Sequence, residues 1–255
     1  MRTVIIIPAR LQSTRLPRKL LLDIGGRTII ERTWRQAMQA KNADSVVIAT
    51  DSPEIAAAAK GFGARVAMTR AEHQSGTERI AEAAASTPDA DIIVNIQGDE
   101  PEISPAHIDA LIATHRTAGF FASTLASPLP PTLDPANPAA VKAVLGRAIT
   151  GAGQSFEALY FTRALAPFPR DGGRGEFHLH IGAYAFGRAA LMRFAGAPPG
   201  RLEQIERLEQ LRILEMGEKI AVRVVGEAAR GIDTIEDYVA AKARLEGRGA
   251  AGGSE

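Results

Sequence analysis

The stretch DIIVNIQGDEP, residues 91–101, largely decides how this chain is expected to fold. Its first seven residues are mostly apolar, which is typical of a strand that is covered on both faces of a parallel sheet. A glycine and two carboxylates, Asp99 and Glu100, follow at once. Ligands of open parallel sheets bind outside the carboxyl ends of the strands, so the two carboxylates fall where a ligand is expected. An ordinary solvated turn is the alternative, because Asp is also a common turn former.

Three earlier runs have the same strand character: TVIII (3–7), SVVIAT (45–50) and ARVAM (64–68). Helical patterns separate and follow them, at residues 28–40, after Ser52-Pro53, at 76–86, and from Ser104-Pro105 to about residue 116. Strands that alternate with helices of this length form βαβ units with right-handed crossovers. The pattern predicts an α/β fold with a doubly wound, mainly parallel (Rossmann-like) sheet and helices on both faces.

The second half of the chain reads differently. Residues 127–175 are rich in Pro and Gly, and we expect short strands and long loops there, as an inserted or edge subdomain. Beyond it we predict strands at 180–186 and 220–225 and helices at 203–216 and 234–246. We predict a single domain over residues 1–246, with a smaller elaboration at about 127–217, and a disordered Gly/Ser tail at 247–255.

The composition excludes several classes of protein. A formal net charge of +1 over 255 residues gives no field that would favour nucleic acid or an anionic membrane. The absence of cysteine excludes disulfides, thiolate zinc sites and thiol nucleophiles. No stretch approaches the roughly 20 apolar residues of a membrane span. We therefore expect a soluble, cytoplasmic protein that binds neither nucleic acid nor a membrane.

A basic loop follows the first predicted strand and carries four cations, Arg10, Arg15, Arg18 and Lys19. Cations at the ligand edge of a sheet suit an oligophosphate, since guanidinium groups bind phosphate oxygens in pairs. By charge count alone, a solvated basic loop is the more common interpretation. The loop has neither the GxxxxGK[ST] nor the GxGxxG pattern, which argues against a dinucleotide-dependent dehydrogenase.

Two carboxylates are candidates for a hard cation. Ser104 is the better cap for the helix that follows Asp99, which leaves Asp99 free for another task, and Asp233 follows the predicted strand at 220–225. Magnesium prefers one or two carboxylates with water and substrate phosphates. Gly76 and Thr77, at a predicted helix start, offer backbone N–H groups to an anion or a ribose, although a capping arrangement is equally compatible.

Eight segments, taken in order, resemble the 3-deoxy-manno-octulosonate cytidylyltransferases, which activate the sugar acid 3-deoxy-manno-octulosonate (Kdo) for lipopolysaccharide synthesis in Gram-negative bacteria. The resemblance runs from about residue 3 to residue 246. Its segments are IIIPARLQSTRLPRK, IATD, MTRAEHQSGTERIAE, VNIQGDEPEI, ALYFTRA, HIGAYAF, LEQIERLEQLRILEMGEKI and GIDTIED. Each is weak alone, but their order and spacing are very specific.

The resemblance implies a reaction, a metal and a set of residues. CMP would pass from CTP to the anomeric hydroxyl of Kdo, with release of pyrophosphate, in a homodimeric and Mg²⁺-dependent enzyme. It implies that Arg10 and Lys19 are the catalytic cations, with Arg15 assisting at the triphosphate. Asp99 and Asp233 would be the metal ligands. The contacts to base and ribose would come from Ala9, Ser75 and Gly76.

The resemblance also implies a binding site for the sugar acid. Its residues would be Arg79, Gln97, Arg163, His180, Tyr184, Glu209 and Gln210. The family pattern NPNxVK appears here as NPAAVK, which keeps Lys142. Two alternatives stay open at this point: an enzyme for another acid sugar, such as an amino-Kdo or a sialic acid, and a catalytically silent nucleotide-binding protein.

Overall fold

The computed structural model describes residues 1–13, 15–73, 75–172, 175–227 and 231–251, with side chains up to residue 247. The strands, in chain order, are β1 (Thr3–Ala9), β2 (Asp23–Ile24), β3 (Arg27–Thr28), β4 (Ser45–Thr50), β5 (Arg65–Met68), β6 (Ile92–Asn95), β7 (Ala122–Pro128), β8 (Lys142–Ala148), β9 (Ser155–Thr162), β10 (His178–Gly187) and β11 (Ile220–Val224). The helices are α1 (Ile29–Ala37), α2 (Pro53–Gly61), α3 (Gly76–Ala84), α4 (Pro105–Ala118), α5 (Arg188–Gly196), α6 (Arg201–Glu206), α7 (Leu211–Glu215) and α8 (Ile235–Ala251). A short 3₁₀ helix spans Lys19–Leu21.

The chain divides into two compact units, each of them discontinuous in sequence. The unit that we call the parallel unit comprises Arg2–Ala90, Asn95–Pro105 and Ala229–Glu255. The unit that we call the mixed unit comprises Met1, Asp91–Val94 and Ala106–Ala228. The single domain predicted for residues 1–246, with its elaboration at about 127–217, stays a prediction.

The parallel unit contains the first three predicted strands. β1 pairs in parallel with β4, and β4 pairs in parallel with β5. The β-branched run Val4–Ile7 is fully buried, as expected for a strand that is covered on both faces. Ser52 caps α2, because its hydroxyl accepts a hydrogen bond from the backbone N–H of Ile55. The α/β class is thus confirmed, and this part of the sheet is parallel as predicted.

In the mixed unit the prediction of a mainly parallel sheet is wrong. β10 runs antiparallel to β7, and β9 runs antiparallel to both β11 and β8, whereas β11 is parallel to β7. The reason lies in the connections. Only residues 149–154 join β8 to β9, and a parallel pair needs a crossover of about a dozen residues or more. β8 and β9 lie in the Pro- and Gly-rich middle of the chain, where short strands were expected without bounds or partners.

The single helix predicted at 203–216 is also corrected, because the structure has two short helices, α6 and α7. Arg207 breaks the helix with a left-handed backbone (φ 54°), which non-glycine residues adopt at a cost. The carbonyl of Glu206 instead accepts a hydrogen bond from Nε of Arg163 at 2.7 Å. The apolar spacing of the segment continues across the break, so it gave no sign of the interruption.

The last helix, α8, extends to Ala251 and so continues beyond the predicted end at residue 246. Residues 252–255, the remainder of the predicted tail, lie outside the described residues. Across the part of the chain that the structure describes, no helix has both the length and the apolar character that a membrane crossing requires.

Candidate active site

In the parallel unit, one lysine joins two carboxylates that are far apart in sequence. Nζ of Lys19 lies 2.5 Å from Oδ2 of Asp99 and 3.1 Å from Oδ1 of Asp233. The lysine side chain is 11% exposed, and the Asp99 side chain is 25% exposed. Nη2 of Arg15 lies 3.2 Å from the other oxygen of Asp233. Two predicted metal ligands and two predicted phosphate-binding cations therefore form one cluster, which we call the Lys19 cluster.

Asp99 is held by the turn that follows β6. The hydroxyl of Thr33 donates to the carbonyl of Gly98 at 2.9 Å, and the N–H of Glu100 donates to the carbonyl of Gln97 at 3.3 Å. A Cβ at position 98 would lie 3.0 Å from the carbonyl oxygen of Pro8. Glycine is therefore favoured at this position, because a side chain would crowd the backbone of β1. The glycine of the NIQGDEP stretch thus lets the turn pack against β1.

Asp233 reaches the same place from the C-terminal end of the sequence. The N–H of Ile232 donates to the carbonyl of Asp99 at 2.9 Å, which fixes the loop ahead of α8 beside the β6 turn. Thr234 and Asp237 then cap α8 reciprocally: the Asp237 carboxylate accepts from the Thr234 N–H at 2.9 Å, and the Thr234 hydroxyl accepts from the Asp237 N–H at 3.2 Å. Both ends of this segment are anchored, so Asp233 is placed by backbone contacts.

The charges of the Lys19 cluster support one another. Burial by itself lowers the pKa of Lys19, but the carboxylates of Asp99 and Asp233 outweigh that effect and hold the pKa above its ordinary value. Burial, with the negative charge of Asp99, raises the pKa of Glu100 to about 8. The neighbouring carboxyls of the NIQGDEP stretch therefore differ: burial favours the protonated form of Glu100, and Asp99 pairs with an ammonium group.

A cavity of about 330 Å³ opens at the Lys19 cluster. Its walls include four residues predicted to bind the nucleotide, Arg10, Arg15, Lys19 and Gly76. They also include the two predicted metal ligands and Gln97, which was predicted to bind the sugar. Ala9 is the buried last residue of β1, next to Arg10. The hydroxyl of Ser75 accepts from the N–H of Glu78 at 3.2 Å and so caps α3. The capping interpretation of this helix start is therefore confirmed, while Gly76 still faces the cavity.

Asp99 and Asp233 could supply two of the oxygen donors of a magnesium ion. One cation, the ammonium of Lys19, already touches a carboxylate oxygen of Asp99 and one of Asp233, so the two oxygens converge on a common point. Among the described residues no group of three or more His, Cys, Asp or Glu could hold a metal ion. Two carboxylates suffice for Mg²⁺ when phosphates and water complete its coordination.

The two predicted sugar-binding residues of the parallel unit have different settings. Gln97 lies on the wall of the cavity at the Lys19 cluster. Arg79 is fully buried and projects from α3 toward the ends of two neighbouring strands, where Nη1 donates to the Thr69 hydroxyl at 2.5 Å. The same nitrogen lies 3.1 Å from Oδ1 of Asp51. Arg79 therefore already has a carboxylate beside it.

The mixed unit holds a second, different cluster, which we call the His180 cluster. Nε2 of His180 lies 3.0 Å from the Thr124 hydroxyl and 3.2 Å from the Tyr184 hydroxyl. The imidazole packs edge-on against Phe161, with ring centroids 5.0 Å apart. Burial lowers the pKa of His180 to about 3, and burial together with the charge of Glu209 raises the pKa of Tyr184 well above its ordinary value. Both groups are therefore uncharged near neutral pH and can exchange hydrogen bonds with hydroxyl groups.

Arg163, Glu209 and Gln210 lie around the break between α6 and α7. Arg163 uses its guanidinium for backbone carbonyls: Nε donates to Glu206 and Nη1 donates to Pro138 at 2.9 Å. Nε2 of Gln210 is buried and, among the described residues, has no hydrogen-bond partner. Oε1 of Glu209 lies 3.8 Å from Nη2 of Arg212. Of these three predicted sugar-binding residues, Gln210 therefore has a buried donor without a partner among the described residues, whereas the Arg163 guanidinium is hydrogen-bonded to backbone carbonyls.

Comparisons with known proteins agree with this geometry. The cytidylyltransferase family model matches residues 4–220. The 3-deoxy-manno-octulosonate cytidylyltransferase of Rhodopirellula baltica is 43% identical, with 96% of this chain and 99% of that protein covered. The enzyme of that name from Chlorobium limicola is 46% identical, with 93% and 94% covered.

This chain belongs to the 3-deoxy-manno-octulosonate cytidylyltransferase family. A solved structure of a CMP:2-keto-3-deoxy-manno-octonic acid synthetase complexed with CTP superposes with a TM-score of 0.90 at 35% identity, covering 97% of this chain and 100% of that one. A cytidylyltransferase from Leptospira borgpetersenii, at 20% identity and a TM-score of 0.61, shares the fold. The family resemblance read from the eight sequence segments is thus confirmed.

Two residues of this family member had no role assigned from the sequence. Thr124 lies on β7, a strand that the sequence analysis did not identify, so nothing indicated that it would meet His180. Lys142 is fully buried, and its Nζ donates to the carbonyl of Arg163 at 2.7 Å. Burial lowers the pKa of Lys142, while Glu206 opposes the shift. The one available sign was that Lys142 is retained in the NPAAVK segment.

Proposed function

We propose that this protein transfers CMP from CTP to the anomeric hydroxyl of Kdo and releases pyrophosphate. The observation that carries the proposal is the Lys19 cluster, in which Lys19 contacts both Asp99 and Asp233 at a cavity that is also lined by Arg10 and Arg15. The family assignment supports cytidylyl transfer as the reaction at this cluster, because the relatives of that name match nearly the whole chain.

The nucleotide is proposed to place its triphosphate in the 330 Å³ cavity. Arg10, Arg15 and Lys19 supply positive charge to the phosphate oxygens there. The hydroxyl oxygen of Kdo bonds to the α-phosphorus, the bond from that phosphorus to the bridging oxygen breaks, pyrophosphate leaves, and the hydroxyl proton passes to solvent. Such transfers depend mainly on positioning and charge neutralisation, which a rigid set of cations provides.

Asp99 and Asp233 are proposed to hold magnesium. When bound, the ion would neutralise charge on the phosphate oxygens. Lys19 contacts both carboxylates in the structure, so loading the site requires its ammonium to move away from at least one of them. We propose that Lys19 then turns to the phosphates, which links nucleotide binding to metal binding. The carboxylates are anchored through backbone contacts, so they keep their positions when the lysine moves.

The sugar acid is proposed to be recognised in part by the mixed unit. His180 and Tyr184 are uncharged hydrogen-bonding groups near neutral pH, and Gln210 has a buried donor available, which suits the several hydroxyls of Kdo. Glu209 adds a carboxylate that accepts hydrogen bonds from hydroxyls. Arg163 is proposed to support this region through the α6–α7 break.

The family also supplies a setting for the reaction. We propose that the protein is a cytoplasmic homodimer and that its product serves lipopolysaccharide synthesis. Analytical ultracentrifugation at several protein concentrations tests the dimer, and a monomer at micromolar concentration contradicts it.

The activity is tested by measuring pyrophosphate release with CTP, Mg²⁺ and a panel of keto-sugar acids that includes Kdo, an amino-Kdo and a sialic acid. We expect Kdo to give the highest kcat/KM. Turnover of another acid without turnover of Kdo overturns the substrate, and no turnover with any acid, in a protein that still binds CTP, supports a silent binding protein instead. A titration with EDTA, reversed by Mg²⁺, tests the metal requirement.

A further inference from the structure

In the mixed unit, the register of β10 against β7 shifts beside the His180 cluster. Ile181 pairs with Leu125 and Tyr184 pairs with Thr124, so neighbouring residues of β7 face residues that are three apart on β10. Such an irregularity bends a strand and re-aims its side chains. Residues four apart on a regular strand have backbones about 13 Å apart. Here Nε2 of His180 lies 3.2 Å from the Tyr184 hydroxyl, so both side chains gather beside Thr124.

The hydroxyl of Thr124 has one hydrogen and three polar neighbours. Its oxygen lies 2.8 Å from the carbonyl oxygen of Ala183, 3.2 Å from that of Ile181 and 3.0 Å from Nε2 of His180. A carbonyl oxygen can only accept, so the hydroxyl hydrogen is directed at the carbonyls. If it pointed at Nε2 instead, oxygen lone pairs would face one another in a fully buried place, which costs free energy.

This direction determines which nitrogen of His180 carries the hydrogen. The Thr124 oxygen gives its own hydrogen to a carbonyl, so it can only accept from the imidazole, and Nε2 must donate. Because burial lowers the pKa of His180 to about 3, the ring is neutral near neutral pH and has a single N–H. Nδ1 therefore keeps its lone pair. The hydrogen-bond partner of one ring nitrogen commonly sets the tautomer in this way.

We propose that Thr124 is a positioning residue that fixes His180 as the Nε2–H tautomer and so leaves the hydroxyl hydrogen of Tyr184 for the sugar acid; the choice of ligand rests on the proposed function. A protonated Nε2 can only donate to the Tyr184 oxygen. The Tyr184 hydroxyl then donates to an acceptor oxygen of the ligand. In the other tautomer Nε2 would accept from Tyr184, and the ligand would lose that donor.

The imidazole is held in place by contacts that do not depend on its tautomer. Phe161 packs against the ring, with centroids 5.0 Å apart. The backbone N–H of His180 donates to the carbonyl of Val141 at 2.9 Å. A substitution at Thr124 can therefore change the tautomer while the ring keeps its position, which makes the proposal testable by variants.

The first test observes the tautomer directly. Correlation spectra of the imidazole groups in ¹⁵N-labelled protein distinguish a ring nitrogen with a hydrogen from one with a lone pair, and His180→Phe identifies the signals of His180 among the five histidines. We expect the Nε2–H tautomer in the wild type and in Thr124→Ser, which keeps the hydroxyl. In Thr124→Val we expect the Nδ1–H tautomer to appear, because the Tyr184 hydroxyl then donates to Nε2.

Two results of these spectra overturn the inference. One is an Nδ1–H ring in the wild type, which decides the matter even if Thr124→Val does not fold. The other is a folded Thr124→Val protein whose His180 signals show the same tautomer as the wild type.

The second test asks whether the tautomer affects the sugar acid. We expect the KM for Kdo to rise about tenfold in Thr124→Val, as for the loss of one buried hydrogen bond, while the KM for CTP stays the same. Thr117→Val is the matched control, because it removes an exposed hydroxyl of the same unit that donates to the carbonyl of Ala113 at 3.0 Å. It should keep both KM values. No rise for Kdo, or an equal rise for CTP, in Thr124→Val overturns the inference.

A third test separates positioning of the hydrogen from support of the fold. In a Tyr184→Phe background there is no hydroxyl for Nε2 to redirect. Adding Thr124→Val should then change the KM for Kdo by less than about twofold, so the two substitutions are not additive. A further tenfold rise in the double variant would show that Thr124 acts through packing alone, which overturns the inference.

The spectra separate the inference from the proposed function, because they need no turnover. An Nε2–H tautomer that depends on the Thr124 hydroxyl, in a protein that does not turn over Kdo, supports the tautomer and overturns the proposed reaction. Turnover of Kdo by a protein whose His180 is the Nδ1–H tautomer does the reverse.

Discussion

In the parallel unit, Lys19 stands between the carboxylates of Asp99 and Asp233, whereas in the mixed unit His180 and Tyr184 share hydrogen bonds and carry no charge near neutral pH. Both clusters combine residues from separate elements. The first balances opposite charges at a cavity, and the second uses burial to keep titratable groups neutral. The two regions thus use different residue types: ionised ammonium and carboxylate groups in the first, and uncharged imidazole and hydroxyl groups in the second.

The largest effect is expected from Asp99→Asn, which removes a charge from the Lys19 cluster while preserving shape. We expect kcat to fall by about 1,000-fold or more, because charge stabilisation at the phosphates is lost. The melting temperature should change little, since the turn is held by hydrogen bonds to the carbonyls of Gly98 and Gln97 rather than by the Asp99 side chain. Pyrophosphate release and a thermal melt measure the two quantities.

Asp89→Asn is the control for that substitution, because Asp89 is an exposed carboxylate of the same unit that pairs with Arg2. It should retain wild-type activity. Near-normal turnover of Asp99→Asn would remove Asp99 from the proposed metal site.

The next largest effect is expected from Lys19→Met. We expect kcat to fall by about 100-fold, because a cation at the triphosphate is lost. Without the ammonium, Asp99 and Asp233 repel one another, and Mg²⁺ should then raise the melting temperature more than it does in the wild type. Thermal melts with and without Mg²⁺, in the absence of nucleotide, measure this. Equal Mg²⁺ responses of variant and wild type would show that the lysine does not compete with the ion.

A smaller effect is expected in the His180 cluster from Tyr184→Phe. The substitution removes the hydroxyl 3.2 Å from His180, and with it one of the groups proposed to bind Kdo. We expect the KM for Kdo to rise about tenfold, in line with the loss of one buried hydrogen bond, while the KM for CTP stays the same. Initial-rate measurements with each substrate varied in turn distinguish the two. An equal rise in both KM values would contradict the separation of the clusters.

A separate effect, on stability rather than on turnover, is expected in the pH dependence of unfolding. Burial lowers the pKa of folded His180 to about 3. Below about pH 6.5 the imidazole is therefore protonated in the unfolded chain and stays neutral in the folded one. Stability conferred by this group is therefore present above pH 6.5 and lost progressively as the pH falls toward 3. His180→Phe should lose stability less steeply over this range, by up to about 1 kcal/mol per pH unit.

Urea denaturation between pH 7 and pH 4 measures these slopes. Tyr184→Phe is the control, because it alters the same hydrogen bond and keeps the imidazole. If the stability of His180→Phe and that of the wild type fall with pH in parallel, the fold does not hold His180 neutral.

Local patterns were enough to predict much of the parallel unit. The run SVVIAT at 45–50 became β4 with the predicted bounds, because a short β-branched run has few alternatives to a buried strand. Ser52 and Pro53 likewise determined the start of α2. In the mixed unit, short strands were expected in the middle of the chain, but the bounds and partners of β8 and β9 were not, since their pairing depends on contacts between strands and on a short connection rather than on composition.

For the candidate active site, the sequence determined which charged residues lie at the ends of strands, and the resemblance to a known family supplied their proposed roles. Only the tertiary structure decided that Lys19 contacts Asp99 and Asp233 together, that Arg79 is buried beside Asp51, and that Arg163 is engaged with backbone carbonyls. The physical reason is that strand and helix patterns are local properties of a few neighbouring residues. The partner of a charge depends instead on the register of adjacent strands and on backbone contacts between segments that are distant in sequence.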